Sequence, residues 1–119
     1  MRIRLTAGAT VLNATLDDNA TARDFASLLP LTLQMDDLLK REKYGRLPRP
    51  LTAGGKPRSS YEIGNIVYWS PGPDIAIFYH HDGQSIPAPG IVILGQITSE
   101  ADALKQYDGT VDVTIEAID

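Results

Sequence analysis

The two ends of the chain constrain its fold most. "RIRLT" alternates Arg2 and Arg4 with Ile3 and Leu5, and "TVDVTIEAI" alternates Val111, Val113 and Ile115 with Asp112, Thr114 and Glu116. A period of two gives each segment one apolar and one wet face, the pattern of an antiparallel strand lying over a core. Gly8, between "RIRLT" and "TVLNATL", supplies the backbone freedom of a hairpin turn, so the first two strands are expected to pair.

Three more β-rich runs lie in the second half: "GNIVYWS", "DIAIFYHH" and "GIVILGQIT". The first two are joined by "PGP", which turns the chain sharply, and the third follows the proline-rich "SIPAPG". They predict a three-stranded centre with "DIAIFYHH" in the middle. On that strand Ile75, Ile77 and Tyr79 share one face and Ala76, Phe78 and His80 the other, so His80 and His81 point in opposite directions. "LTLQM" reads as another strand. "TARDFASLLP" predicts a helix with Thr21 as N-cap, Asp24 as a shortened capping box and an end near Leu28 or Leu29, because Pro30 cannot continue it. A second short helix is expected at "SEADALKQY", capped by Ser99, and residues 46–61, with three prolines and two glycines, read as loop.

At 119 residues, 43% of them hydrophobic, the chain has material for one core, and a single domain over residues 1–119 is expected. Ile3, Leu5, Leu12, Phe25, Leu29, Ile66, Ile77, Ile93, Val113 and Ile115 are its candidate members. The start of the chain carries no apolar run of the secretory or membrane-spanning kind, which predicts a cytoplasmic protein with no membrane partner.

The formal net charge of −4 is unevenly spread: residues 40–58 hold seven of the eleven basic residues and one acidic residue, Glu42. Such a run reads either as a solvated loop or as an anion-attracting rim beside a pocket. Its one stacking aromatic, Tyr44, and the acidic balance of the whole argue against nucleic acid.

Little else has the form of chemistry. There is no cysteine, and two adjacent histidines on a strand cannot share one metal, so no metal site is expected. Ser59 and Ser60 lack a nucleophile-elbow motif, and no glycine-rich phosphate loop is present, so neither catalytic residues nor a cofactor are assigned. The pairs Asp17-Asp18 and Asp36-Asp37 suit helix entry and turns better than acid-base work.

The run "ATARDFASLLPLTLQMDD", then "LPRPL", "YEIGNIVYWSPGPDIAIFYHHDG" and "GIVILGQI", resembles the small bacterial and archaeal cyclophilin-like proteins over almost the whole chain, from Ile3 to about Glu116. The resemblance implies a mainly β fold, a closed antiparallel barrel of about eight strands with one or two short helices. It also suggests a partner role beside flavodoxin-like redox proteins. The isomerase motif of true cyclophilins, FHRxxxxFMxQGG, has no counterpart here: Phe25 belongs to the helix, Gln96 lies in "LGQIT", and no arginine follows a Phe-His pair. Fold alone does not carry that activity.

The expected function is therefore binding of a small anionic ligand or a peptide, with Arg46 and Arg49 as a cationic rim and Trp69, Phe78 and Tyr79 as apolar walls. His80 is a further candidate for one hydrogen bond to the ligand. The alternative is a divergent enzyme of the same fold, a weak prolyl isomerase or an accessory subunit of a hydrolase or redox enzyme.

Overall fold

A computed structural model describes residues 1–118. Eight strands form a closed antiparallel barrel: β1 (Arg2–Ala7), β2 (Thr10–Leu16), β3 (Leu31–Leu38), β4 (Glu42–Arg46), β5 (Asn65–Trp69), β6 (Asp74–Phe78), β7 (Val92–Ile97) and β8 (Val111–Ala117). Around the barrel they run β1, β2, β7, β5, β6, β4, β3, β8, and β8 pairs with β1 to close it. The alternation at both termini is thus explained by one contact: Leu5 lies opposite Ile115, with both side chains in the interior. Gly8 holds the β1–β2 turn at φ +58, a conformation that suits glycine.

The helix α1 (Ala20–Ala26) follows β2 and precedes β3, so it closes one barrel end with Ala22 and Phe25. Its N-cap is Asn19, whose Oδ1 accepts from the Ala22 amide at 2.8 Å, and not the expected Thr21. Thr21 is buried and donates instead to the Thr52 carbonyl. Asp24 forms no capping box, because its carboxylate takes Arg49 and the Thr52 amide. At the other end a 3-10 helix, Ala101–Gln106, buries Ala101 and Leu104. Ser99 does not cap it, since its hydroxyl accepts from the Asn13 amide.

Two further expectations need correction. Among the three central runs the middle strand is β5, flanked by β6 and β7. Part of the basic stretch is strand β4, with Lys43 and Gly45 opposite Ile77 and Ile75 of β6. Lys43 is wholly buried, paired with Asp37 and donating to the Tyr107 carbonyl. Asp37 serves both the barrel's packing and, as expected, the turn after β3, where its Oδ2 accepts from the Lys40 amide at 2.9 Å. Gly45 allows a close approach, since a Cβ there would stand 3.1 Å from both Met35 Cγ and the Gln34 carbonyl.

The hydrophobic residues do not form one cluster. Most fill the barrel, but Tyr61, Val67, Ala76, Phe78, Ile86 and Ile91 pack on its outer side. Strands β5 and β6 are therefore buried on both faces. Leu29 and Ile93 are half-buried, and Ile93 packs against the outer group. A bulge in β7, where pairing skips from Gly95 to Ile93, turns Leu94 fully inside.

Candidate functional site

The outer face of β4, β6 and β5 forms the floor of a cleft of about 400 Å3. Register explains its lining. Tyr44 lies opposite Ala76, which lies opposite Val67; one row toward the end of β6 Glu42 faces Phe78, and one row toward its start Arg46 and Trp69 flank Asp74. The segment carrying Ile86, Pro87 and Ile91 forms the opposite wall. It is tied down where Arg58 and Ile91 exchange backbone hydrogen bonds at 2.7 and 2.9 Å and where the Ile86 amide donates to the Ser59 carbonyl.

Beside Phe78 the cleft ends in a charged, stacked group. The Tyr61 ring stacks on Phe78 with centroids 3.8 Å apart, and His81 stacks on Tyr61 at 4.4 Å. The Arg41 guanidinium lies 5.5 Å from the Phe78 centroid and 5.6 Å from that of Tyr61, within cation–π range. Arg41 donates Nε to Glu42 Oε2 at 2.8 Å, pairs NH2 with the same oxygen at 2.6 Å, and reaches Asp82 with NH1 at 3.3 Å. Tyr61 Oη donates to the other oxygen of Asp82.

Electrostatics follow from this packing. Burial pushes the Glu42 carboxyl above its ordinary range, and the Arg41 guanidinium offsets only part of that shift. For Arg41 burial works against the charge, but the hydrogen bond and charge of Glu42 prevail and raise its pKa. Asp82 is held below the usual carboxylate range, first by the Gln84 amide. Burial raises Asp74, opposed by Arg46 across the strand pair.

The six residues expected to form a site are distributed over several places. Trp69 and Phe78 do line the cleft. Arg46 stands opposite Asp74 at its edge. Arg49 is elsewhere: its NH2 and NH1 hold Asp24 of α1 at 2.7 and 3.0 Å, which ties the loop to the helix. Tyr79 faces into the barrel, where its hydroxyl donates to Asp37, so it cannot share a wall with Phe78. His80 is exposed beyond the end of β6, in a second depression with Asp37, Lys40, Tyr79 and Asp108. Arg41 and Glu42 line the cleft although the sequence reading gave neither a site role. The one available signal was the lone acidic residue in an otherwise basic run.

Among the described residues, no group of three His, Cys, Asp or Glu could hold a metal ion, and no helix is long and apolar enough to cross a membrane. The model of the cyclophilin-like family matches residues 5–116. The chain belongs to the cyclophilin-like family. Among solved structures, this cyclophilin-like chain is similar to a hypothetical protein from Archaeoglobus fulgidus, with TM-score 0.78, 22% identity, and 99% of this chain and 95% of that one covered. It is also similar to McbB, solved in complex with tryptophan, with TM-score 0.70 and 16% identity over 98% of this chain and 46% of that one. At these identities the likeness is one of fold. No curated protein matches the chain.

Proposed function

We propose that this cyclophilin-like chain is a binding module whose small ligand or peptide segment occupies the outer-face cleft. One observation carries the reading: β5 and β6 are apolar on both faces, and above the nearly covered Val67, Ala76 and Phe78 the outer face opens into a cleft between Tyr44, Trp69 and the Ile86–Ile91 wall. An outward sheet face normally meets water and is polar. An apolar cleft with a few charged groups at its margin has the character of a ligand site, and about 400 Å3 suits a ligand of amino-acid or dipeptide size.

The ligand's main contact is apolar, through the accessible parts of Leu38, Tyr44, Trp69 and Pro87 over a floor of Val67, Ala76 and Phe78. A free anion is disfavoured, because the lining holds two carboxyls, Glu42 and Asp74, and its one arginine is already paired. Tryptophan and short apolar peptides are suitable probes in an NMR titration. Binding in the cleft shifts the amides of Val67, Ala76, Phe78 and Ile91, and Trp69→Ala weakens it while the spectrum stays folded. Shifts that map elsewhere, or no shift at millimolar probe, overturn the reading.

A further inference from the structure

Resting on the cleft as the binding site, we propose that its ligand is an amine, an aromatic or apolar body carrying an ammonium group that docks on the free oxygen of Glu42. The two oxygens of this carboxylate are not equivalent. Both contacts from Arg41 go to Oε2. Among the described residues Oε1 has no hydrogen-bond partner, yet no buried side-chain oxygen is left unsatisfied, so Oε1 is the oxygen that reaches the surface of the cleft. It is an acceptor awaiting a donor.

The surrounding charge selects what that donor is. Two carboxylates, Glu42 and Asp82, share the single Arg41 guanidinium, which leaves one negative charge in excess at this end. The groups packed around Glu42 add no free cation. β6 presents Phe78, the following segment presents Asp82 with Tyr61 and His81 stacked behind it, and β3 presents Leu38 and Asp37. Lys43, next in sequence, points into the barrel and is paired with Asp37. Arg46 stands four residues along β4 beside Asp74, roughly 13 Å away at strand rise. The half-buried rings of Tyr44 and Trp69 in the lining favour a cation over an anion. Burial raises the affinity of Glu42 for a proton, so an ammonium ligand displaces that proton, and binding strengthens as pH rises through the titration of Glu42.

Three probes that share an indole and differ in charge test this: tryptamine, the neutral tryptophol and the anionic indole-3-propionate, each titrated against the 15N-labelled protein. Tryptamine is expected to bind about tenfold more tightly than indole-3-propionate, the scale of one charge-assisted hydrogen bond. Measured against tryptophol, because neither it nor tryptamine titrates in that range, the preference for tryptamine should grow between about pH 4 and about pH 7. Glu42→Gln should bring the three probes to within about twofold of one another, while Asp74→Asn keeps the preference. If indole-3-propionate binds in the cleft as well as tryptamine does, the amine assignment fails and the cleft reading stands. A preference that survives Glu42→Gln also overturns it, and so does a preference that does not change with pH, which decides the matter even if the variant fails to fold. Absence of cleft shifts with all three probes overturns both readings.

Discussion

Lys43 and Asp37 face each other across the β3–β4 pair, Nζ 3.1 Å from Oδ1, with the lysine side chain fully enclosed in the barrel. Tyr79 Oη donates to the same carboxylate, and the Tyr79 ring lies 5.7 Å from the ammonium. Removing the carboxylate leaves a buried cation with the Tyr107 carbonyl and the Tyr79 ring but no counter-charge, which typically costs about 3–5 kcal/mol. Asp37→Ala should therefore destabilise more than Lys43→Met, which removes the charge and keeps the volume. Urea unfolding of both variants checks the order.

The acid side of stability separates two kinds of carboxyl. Burial pushes the Asp37 pKa up, but the bonds from Tyr79, Lys43 and the Lys40 amide outweigh it and the net shift is downward. Its folded form binds fewer protons than the unfolded chain, so its stabilisation is present above the ordinary carboxylate pKa of about 4 and is lost as pH falls through the folded value. Glu42 is shifted upward, and its contribution runs the other way: full below its ordinary pKa, lost as pH rises through the folded value. Relative to the parent, Glu42→Gln should thus gain stability between about pH 4 and about pH 7, and Asp37→Asn should lose most at neutral pH. Thermal melts across that range test both signs.

Arg49→Gln should leave ligand binding in the cleft unchanged. The arginine clamps Asp24, which also accepts from the Thr52 amide and hydroxyl, so the variant should speed amide exchange in residues 49–55 and α1. A loss of cleft affinity without such loosening contradicts this placement.

Gly90 sits at φ +86, and a Cβ there would stand 2.7 Å from the Arg58 carbonyl. Gly90→Ala should cost about 1–3 kcal/mol and disturb the Arg58–Ile91 bridge that holds the cleft's wall. Faster exchange at the Ile91 amide, with β1 and β8 unaffected, is the expected signature.

Prolyl isomerase activity should be absent from a standard proline-peptide assay. A guanidinium must be free to approach the twisted amide, and the arginine of this cleft is bound through Nε and NH2 to Glu42 and through NH1 to Asp82. Turnover comparable to that of authentic cyclophilins would refute the argument.

The barrel was legible because seven of its strands carry an apolar inward row or a β-rich run. β4 was not, because its inward positions are Lys43 and Gly45, which make sense only beside Asp37, Tyr79 and Met35 from other strands. Parity alone puts Phe78 and Tyr79 on opposite faces, so the shared wall expected of them conflicts with the alternation in the same run. Arg49 and Glu42 are the remaining instructive cases. Whether a charged side chain is free or committed depends on partners such as Asp24 and Arg41 and on their geometry, and composition records only that the charges exist.

The seam between β1 and β8 gives the barrel a directional weakness. Ile3 pairs with Ala117, and the Ile118 amide donates to the Arg2 carbonyl, so both strands have their outer ends on the same side. Tension applied to the two ends therefore acts along the hydrogen bonds of the seam and opens them one after another, instead of shearing them all at once. A barrel unzipped in this way becomes an open sheet with two bare edges, each of which can pair with the complementary edge of another copy.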